Sequence, residues 1–197
     1  MANSVLPRGF KAKAERLSLE YREKLAQHVC APLDAFKLAE YMCIPIFTPN
    51  DFFSSKEDVN KLCGTSSQDT GWSALTMTTS TGDTIIIHNH LHSPARQQSN
   101  LMHELAHIIC EHKIPEEYKK ISLPIGMRFC NEVQEEEANF LGAALQIAKP
   151  GLHWAFKRNM DYQTIAKHFN ASEEMVKFRV NSTGILKQRA YMLSKGK

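Results

Sequence analysis

The sequence predicts an α+β fold, in which a small antiparallel or mixed three-stranded sheet packs on a helical core and a helical, helix-turn-helix-like appendage closes the chain. Three observations carry this. Apolar residues recur at helical spacing near both ends and in the centre. One tripeptide, Thr81-Gly82-Asp83, sits between two β-branched runs as a hairpin signal. The run of elements is helices, a small sheet, two long helices and a helical tail, which is not the alternation that builds a parallel sheet.

Phe10, Ala14, Leu17, Tyr21 and Leu25 recur at steps of three and four and predict an amphipathic first helix. Pro32 and Asp34 open a shorter one with Ala35, Leu38, Ala39 and Met42 facing inward. Ile44 to Thr48, bounded by prolines, reads as an edge strand. The polar stretch from Pro49 to Gly71, with a helical turn near Lys56 to Leu62, reads as a surface excursion or a flap. Trp72 to Thr79 and Thr84 to His90 form the hairpin. Ser93 and Pro94 are a cap and first-turn pair, starting a helix expected to run to about His112. A turn near Pro115 and an irregular stretch from Ile121 to Gly126 lead to a helix from Asn131 to Ala148, which Pro150-Gly151 is expected to end. Asp161 to Leu193 reads as two or three short helices.

The 197 residues, 43% hydrophobic and 23% charged, suit a globular chain with a real core. A net charge of +3 with mixed signs gives no argument for nucleic acid. Cys30, Cys43, Cys63, Cys110 and Cys130 show no C-x-x-C pair and are expected to be reduced thiols, as in a cytoplasmic protein. No stretch reaches the roughly 18 apolar residues of a membrane span, and no leader is evident, so a soluble protein is expected.

The chemistry concentrates in His103-Glu104-Leu105-Ala106-His107. Histidines four apart stand one above the other on a helix and can reach one zinc ion. Glu104, one step round, can address a water on that ion and act as general base for peptide hydrolysis. A third ligand is required, leaving the fourth position for water. The helix from Asn131 offers Glu132, Glu135, Glu136 and Glu137. Glu135 shares its face with Ala138 and Gly142, small residues that would let two helices approach closely, so Glu135 is the expected ligand. Glu136 and Glu137 are expected to be solvated or to support the ligands. A rival cluster is His88, His90 and His92, which alternate and would share one face of a strand. They are equally candidates, with Tyr118, for stabilising the transition state. His112 is expected on another helix face, and Cys110 in the core.

Ser93-Pro94-Ala95-Arg96 leading into Met102-His103-Glu104-Leu105-Ala106-His107, with Glu135-Glu136-Glu137-Ala138-Asn139 and then Leu141, Ala143 and Leu145, resembles the ImmA/IrrE metallopeptidases. The likeness runs from about Leu33 to Val180 and includes Ile165, Phe169, Ser172, Val176 and Arg179. The resemblance implies a gluzincin-like (zincin-like) core, zinc held by His103, His107 and Glu135, and Glu104 as catalytic base. It also implies a regulatory endopeptidase whose protein substrate is a DNA-binding transcriptional repressor. Gly142 and Leu141 stand where alanine and phenylalanine are usual, Ala148 where proline is usual, and Cys43 where glycine is common. On this reading residues 1–31 form an N-terminal helix, 32–150 the zinc metallopeptidase domain and 151–197 the C-terminal helical segment.

In that last segment Ser172 caps a helix carrying Lys177, Arg179 and Asn181, with Lys187 and Arg189 beyond, the outline of a recognition helix. Glu173 and Glu174 at its front oppose phosphate binding, so the segment is expected to pack on the peptidase and direct nucleic-acid binding is not expected. The alternative to an enzyme is a DNA-binding or repressor-binding regulator whose metal site is structural or sensory.

Overall fold

The computed structural model describes residues 5–65, 72–112 and 131–195. Its helices among these residues are α1 (Phe10–Lys24), α2 (Ala35–Tyr41), α3 (Lys56–Cys63), α4 (Pro94–Ile109), α5 (Glu132–Gln146), α6 (Lys149–Lys157), α7 (Tyr162–His168), α8 (Glu173–Thr183) and α9 (Ile185–Lys195). Three strands, β1 (Ile46–Phe47), β2 (Ala74–Thr78) and β3 (Thr84–His88), complete an α+β architecture. The expected features at Pro115, Tyr118, Ile121 to Gly126 and Cys130 lie outside the described residues.

The sheet order is β1-β3-β2. β1 runs parallel to β3 with Ile46 opposite Ile86, and β2 runs antiparallel with Thr76 opposite the same Ile86. Central β3 therefore buries consecutive residues, Ile85 and Ile86, rather than alternate ones. Gly82, at φ +90°, supplies the left-handed residue that the hairpin turn requires. Strand β3 stops at His88, two residues short of the expected His90. The side chain of Asn89 ends it: its Nδ2 donates to the carbonyls of Cys63 and Trp72, and its Oδ1 accepts from the Leu91 amide. These bonds turn the chain out of the ladder.

Helices α4 and α5 pack side by side at the centre, burying Leu101, Met102, Leu105 and Ala106 against Ala138, Leu141 and Leu145. Gly142 lies at their closest approach, where a Cβ would meet the Met102 carbonyl oxygen at 3.0 Å and the His103 amide nitrogen at 3.1 Å. Helix α1 joins the same core through Phe10 and Ala14.

Helix α1 also buries Ser18 and Arg22, which its apolar spacing did not mark as inward. Both serve the C-terminus of α5. Ser18 Oγ donates to the Ala144 carbonyl, and Arg22 Nη2 donates to those of Leu145 at 2.8 Å and Gln146 at 3.3 Å. From α8, Arg179 Nε donates to the Ile147 carbonyl at 2.9 Å and Nη2 to Glu15 Oε1 at 2.7 Å. The carbonyls that a helix end leaves without partners are thus taken by cationic and hydroxyl donors, the sign the helix dipole favours. Burial, with the Arg179 charge nearby, draws the Arg22 guanidinium down to about 10, which leaves it charged at neutral pH.

Two expected helix ends are corrected. Pro150-Gly151 does not end α5, whose cap is Ile147; Pro150 instead sits in the first turn of α6, a helix the patterning missed. Proline lacks an amide hydrogen that the first turn would not use, so it starts helices as readily as it stops them. Helix α4 ends at Ile109 rather than near His112. Glu111 takes φ +55°, its amide donates to the Ile108 carbonyl, and the His112 amide donates back to the His107 carbonyl. This helix stop through a left-handed residue recurs at Ala26, Cys43, Asn159 and Asn170. Cys43, at φ +55°, thus stands at a position whose backbone favours glycine.

A second apolar cluster joins Ile147, at the end of α5, to Leu152, Ile165, Phe169, Val176, Val180 and Ile185 of the segments from α6 to α9. Among the described residues no helix is long and apolar enough to cross a membrane.

Candidate metal centre

His103 and His107 project from one face of α4, one turn apart, and their Nε2 atoms lie 3.0 Å from each other. Glu135, in the first turn of α5, reaches across with Oε2 3.3 Å from His103 Nε2 and Oε1 3.4 Å from His107 Nε2. The geometry follows from the helix contact: small residues on the Glu135 face, ending at Gly142, let α5 approach the α4 backbone beside His103 itself. Among the described residues this is the group of three whose donor atoms can converge on one metal ion.

The donor set can be tested against the ion it would hold. Tetrahedral zinc with bonds of about 2.0–2.1 Å to nitrogen and oxygen places its ligand atoms roughly 3.3–3.4 Å apart. The observed separations of 3.0, 3.3 and 3.4 Å lie at or just inside that spacing. Two imidazoles and one carboxylate are also one of the three-ligand sets found in catalytic zinc sites. The side chains of His103 and Glu135 remain 25% and 27% exposed, so the centre opens to solvent instead of being sealed.

Glu104 is 3% exposed, and its Oε2 accepts a 2.6 Å hydrogen bond from Thr76 Oγ1 on β2. Strand β2 thus holds the carboxylate of a residue that stands next to His103 on α4. Thr76 carries no mark in the sequence: threonine is an ordinary strand residue, and only the tertiary contact distinguishes it.

The four glutamates of α5 separate clearly. Glu132 and Glu136 are exposed, Glu135 meets the histidines, and Glu137 bonds His112 with Oε2 2.9 Å from Nε2. His112 therefore does not point away on another helix face; the turn at Glu111 folds it back, with its Nδ1 2.9 Å from His107 Nδ1. Cys110 is partly buried against the core. Its burial, with the Glu137 charge beside it, pushes the thiol up to about 11, so it stays protonated and is a poor metal ligand.

The rival histidines do not share a face, because the strand ends at His88. His88 is buried edge-on to Phe36, His90 Nε2 meets Asn50 Nδ2 at 3.2 Å, and His92 is buried between Asn89 and Asn100. Burial, together with its histidine neighbours, holds His88 below the usual imidazole range. None of the three belongs to the converging group, and Tyr118 lies outside the described residues. The other described cysteines, Cys30, Cys43 and Cys63, are free thiols like Cys110.

In the tail, Arg179 is turned inward onto Glu15 and the Ile147 carbonyl, which removes it from the outline of a recognition helix.

Residues 65–181, more than half of the chain, match the family model Peptidase_M78, described as the IrrE N-terminal-like domain. The matched range contains the histidine pair, Glu104, Glu135 and Thr76, and it ends one residue beyond Val180, where the sequence likeness to ImmA/IrrE proteins was traced. No curated protein and no solved structure matches the chain at the significance required of such comparisons.

Proposed function

The chain belongs to the peptidase family of the IrrE N-terminal-like domain, and from that premise we propose that it is a zinc-dependent endopeptidase that cleaves a specific cytoplasmic protein. The observation that carries the reading is the convergence of His103, His107 and Glu135 within 3.0–3.4 Å, with buried Glu104 beside them on α4. Zinc held there would polarise the scissile carbonyl and bring the pKa of a bound water towards about 7.

The chain's own groups do the rest. Glu104 takes a proton from the attacking water onto its carboxylate and passes it to the nitrogen of the leaving amine. Thr76 Oγ1 holds Oε2 of that carboxylate through the exchange, which keeps its orientation without supplying a charge. The partial exposure of His103 and Glu135 supports a catalytic role over a purely structural one, since structural zinc sites are closed by four protein ligands.

A DNA-binding repressor is the substrate class that the family likeness implies. Direct DNA binding by the tail gains no support, since Arg179 is buried and engaged and acidic Glu173 and Glu174 open α8. The test combines purified protein and zinc with a DNA-binding repressor from its own genome, the product of a neighbouring gene first, with Glu104→Gln as control. Wild type is expected to cleave the repressor. Glu104→Gln is expected to keep its zinc and lose activity by about 10²–10⁴-fold. Equal cleavage by both proteins, or an intact repressor with zinc-loaded wild type, refutes the proposal.

A further inference from the structure

Behind the candidate centre lies a polar chain that the proposed reaction does not use. His112 Nε2 is 2.9 Å from Glu137 Oε2, and His112 Nδ1 is 2.9 Å from His107 Nδ1. Only 7% of the His112 side chain and 17% of the Glu137 side chain are exposed, so these contacts are largely withdrawn from water. The placement is built by the backbone: the left-handed Glu111 closes α4 and folds the residue after it over His107, one turn back.

The hydrogens in this chain can be assigned from chemistry. An ionised carboxylate only accepts, so His112 Nε2 carries the hydrogen that meets Glu137. A neutral imidazole has one N–H, which leaves His112 Nδ1 as a bare acceptor. The hydrogen between the two rings then belongs to His107 Nδ1. The remaining nitrogen of that ring, Nε2, carries a lone pair, and it is the atom 3.0 Å from His103 Nε2 and 3.4 Å from Glu135 Oε1.

We infer that Glu137 and His112 are positioning residues, a carboxylate–imidazole relay that fixes His107 in the tautomer and orientation needed to bind a metal ion through Nε2. The inference rests on the metal reading above and extends it to two residues that bind no metal themselves. Outer groups of this kind hold ligand histidines in place, and their removal costs about 10- to 100-fold in metal affinity.

The experiment measures zinc affinity by competition with a chromophoric chelator for wild type, His112→Phe, Glu137→Gln and the double variant, with exposed Glu136→Gln as control. Each single relay variant is expected to bind zinc about 10- to 100-fold more weakly. The double variant is expected to be no weaker than His112→Phe, because Glu137 acts through His112. Long-range ¹H–¹⁵N spectra of the zinc-loaded wild type read the tautomers directly, whether or not the variants fold. They are expected to show hydrogen on Nδ1 of His107 and on Nε2 of His112. Hydrogen on Nδ1 of His112, or wild-type zinc affinity in His112→Phe, overturns the relay while leaving the peptidase reading intact. A wild-type protein that takes up no zinc overturns both.

Discussion

Replacing Gly142 by alanine sets two opposing terms against each other, and the structure says which prevails. Gly142 lies inside α5, where an alanine ordinarily gains about 1 kcal/mol in helix propensity. The added methyl, however, would stand 3.0 Å from the Met102 carbonyl oxygen, 3.1 Å from its carbonyl carbon and 3.1 Å from the His103 amide nitrogen. All three are backbone atoms of α4, so no side chain can swing aside, and the helices must part by a few tenths of an ångström. Overpacking of that kind costs about 1–3 kcal/mol. The balance is a net loss of up to about 2 kcal/mol, or a fall in Tm of roughly 2–4 °C for each kcal/mol in a chain of this size. Because one of the crowded atoms belongs to His103, zinc affinity is expected to fall with stability. Thermal unfolding followed by circular dichroism, with and without zinc, measures both effects. A Gly142→Ala protein about 1 kcal/mol more stable than wild type would show that propensity governs the position and refute the close-contact argument.

Arg22→Ala removes the donor to two carbonyls at the end of α5 and leaves them buried, and is expected to cost about 3 kcal/mol or more, read as a lower midpoint in urea unfolding. A loss below about 1 kcal/mol would mean that water reaches that helix end. Stability should also fall on the acid side through His88 and His92, whose pKa values burial first, and then neighbouring positive groups, hold below the ordinary 6.5. Their folded values lie under the unfolded ones, so the unfolded chain takes up protons first. Stability is therefore complete above about pH 6.5 and declines as pH falls through the lowered folded values. Urea midpoints from pH 7.5 to 5 are expected to drop less steeply in His88→Phe than in wild type, and parallel curves would refute the assignment.

Much of this molecule was legible in its residues. Local chemistry announces itself locally: the four-residue spacing of His103 and His107 needs only helical geometry, and Thr81-Gly82-Asp83 needs only a turn. The face shared by Glu135, Ala138 and Gly142 was readable for the same reason, since side-chain size along one helix limits how near another can come. Where the reading failed, the missing information lay in another segment. His88 to His92 alternate as a strand would, but Asn89 bonds to Cys63 and Trp72 and ends the ladder. Ser18 and Arg22 are polar residues that belong outside by every local rule, and only the carbonyls at the end of α5, some 120 positions away, draw them in. Helical spacing turns His112 away from His107, and the left-handed Glu111 that brings it back leaves no mark in the sequence, whereas a glycine there would.

The sequence by itself therefore determined the chemistry available on α4, two histidines four apart with a carboxyl group between them, because motif spacing is a property of one helix. What holds Glu104 still, where Glu137 turns and what stands behind His107 were decided only by the tertiary structure. Hydrogen bonds reach about 3 Å in space and take no account of distance along the chain.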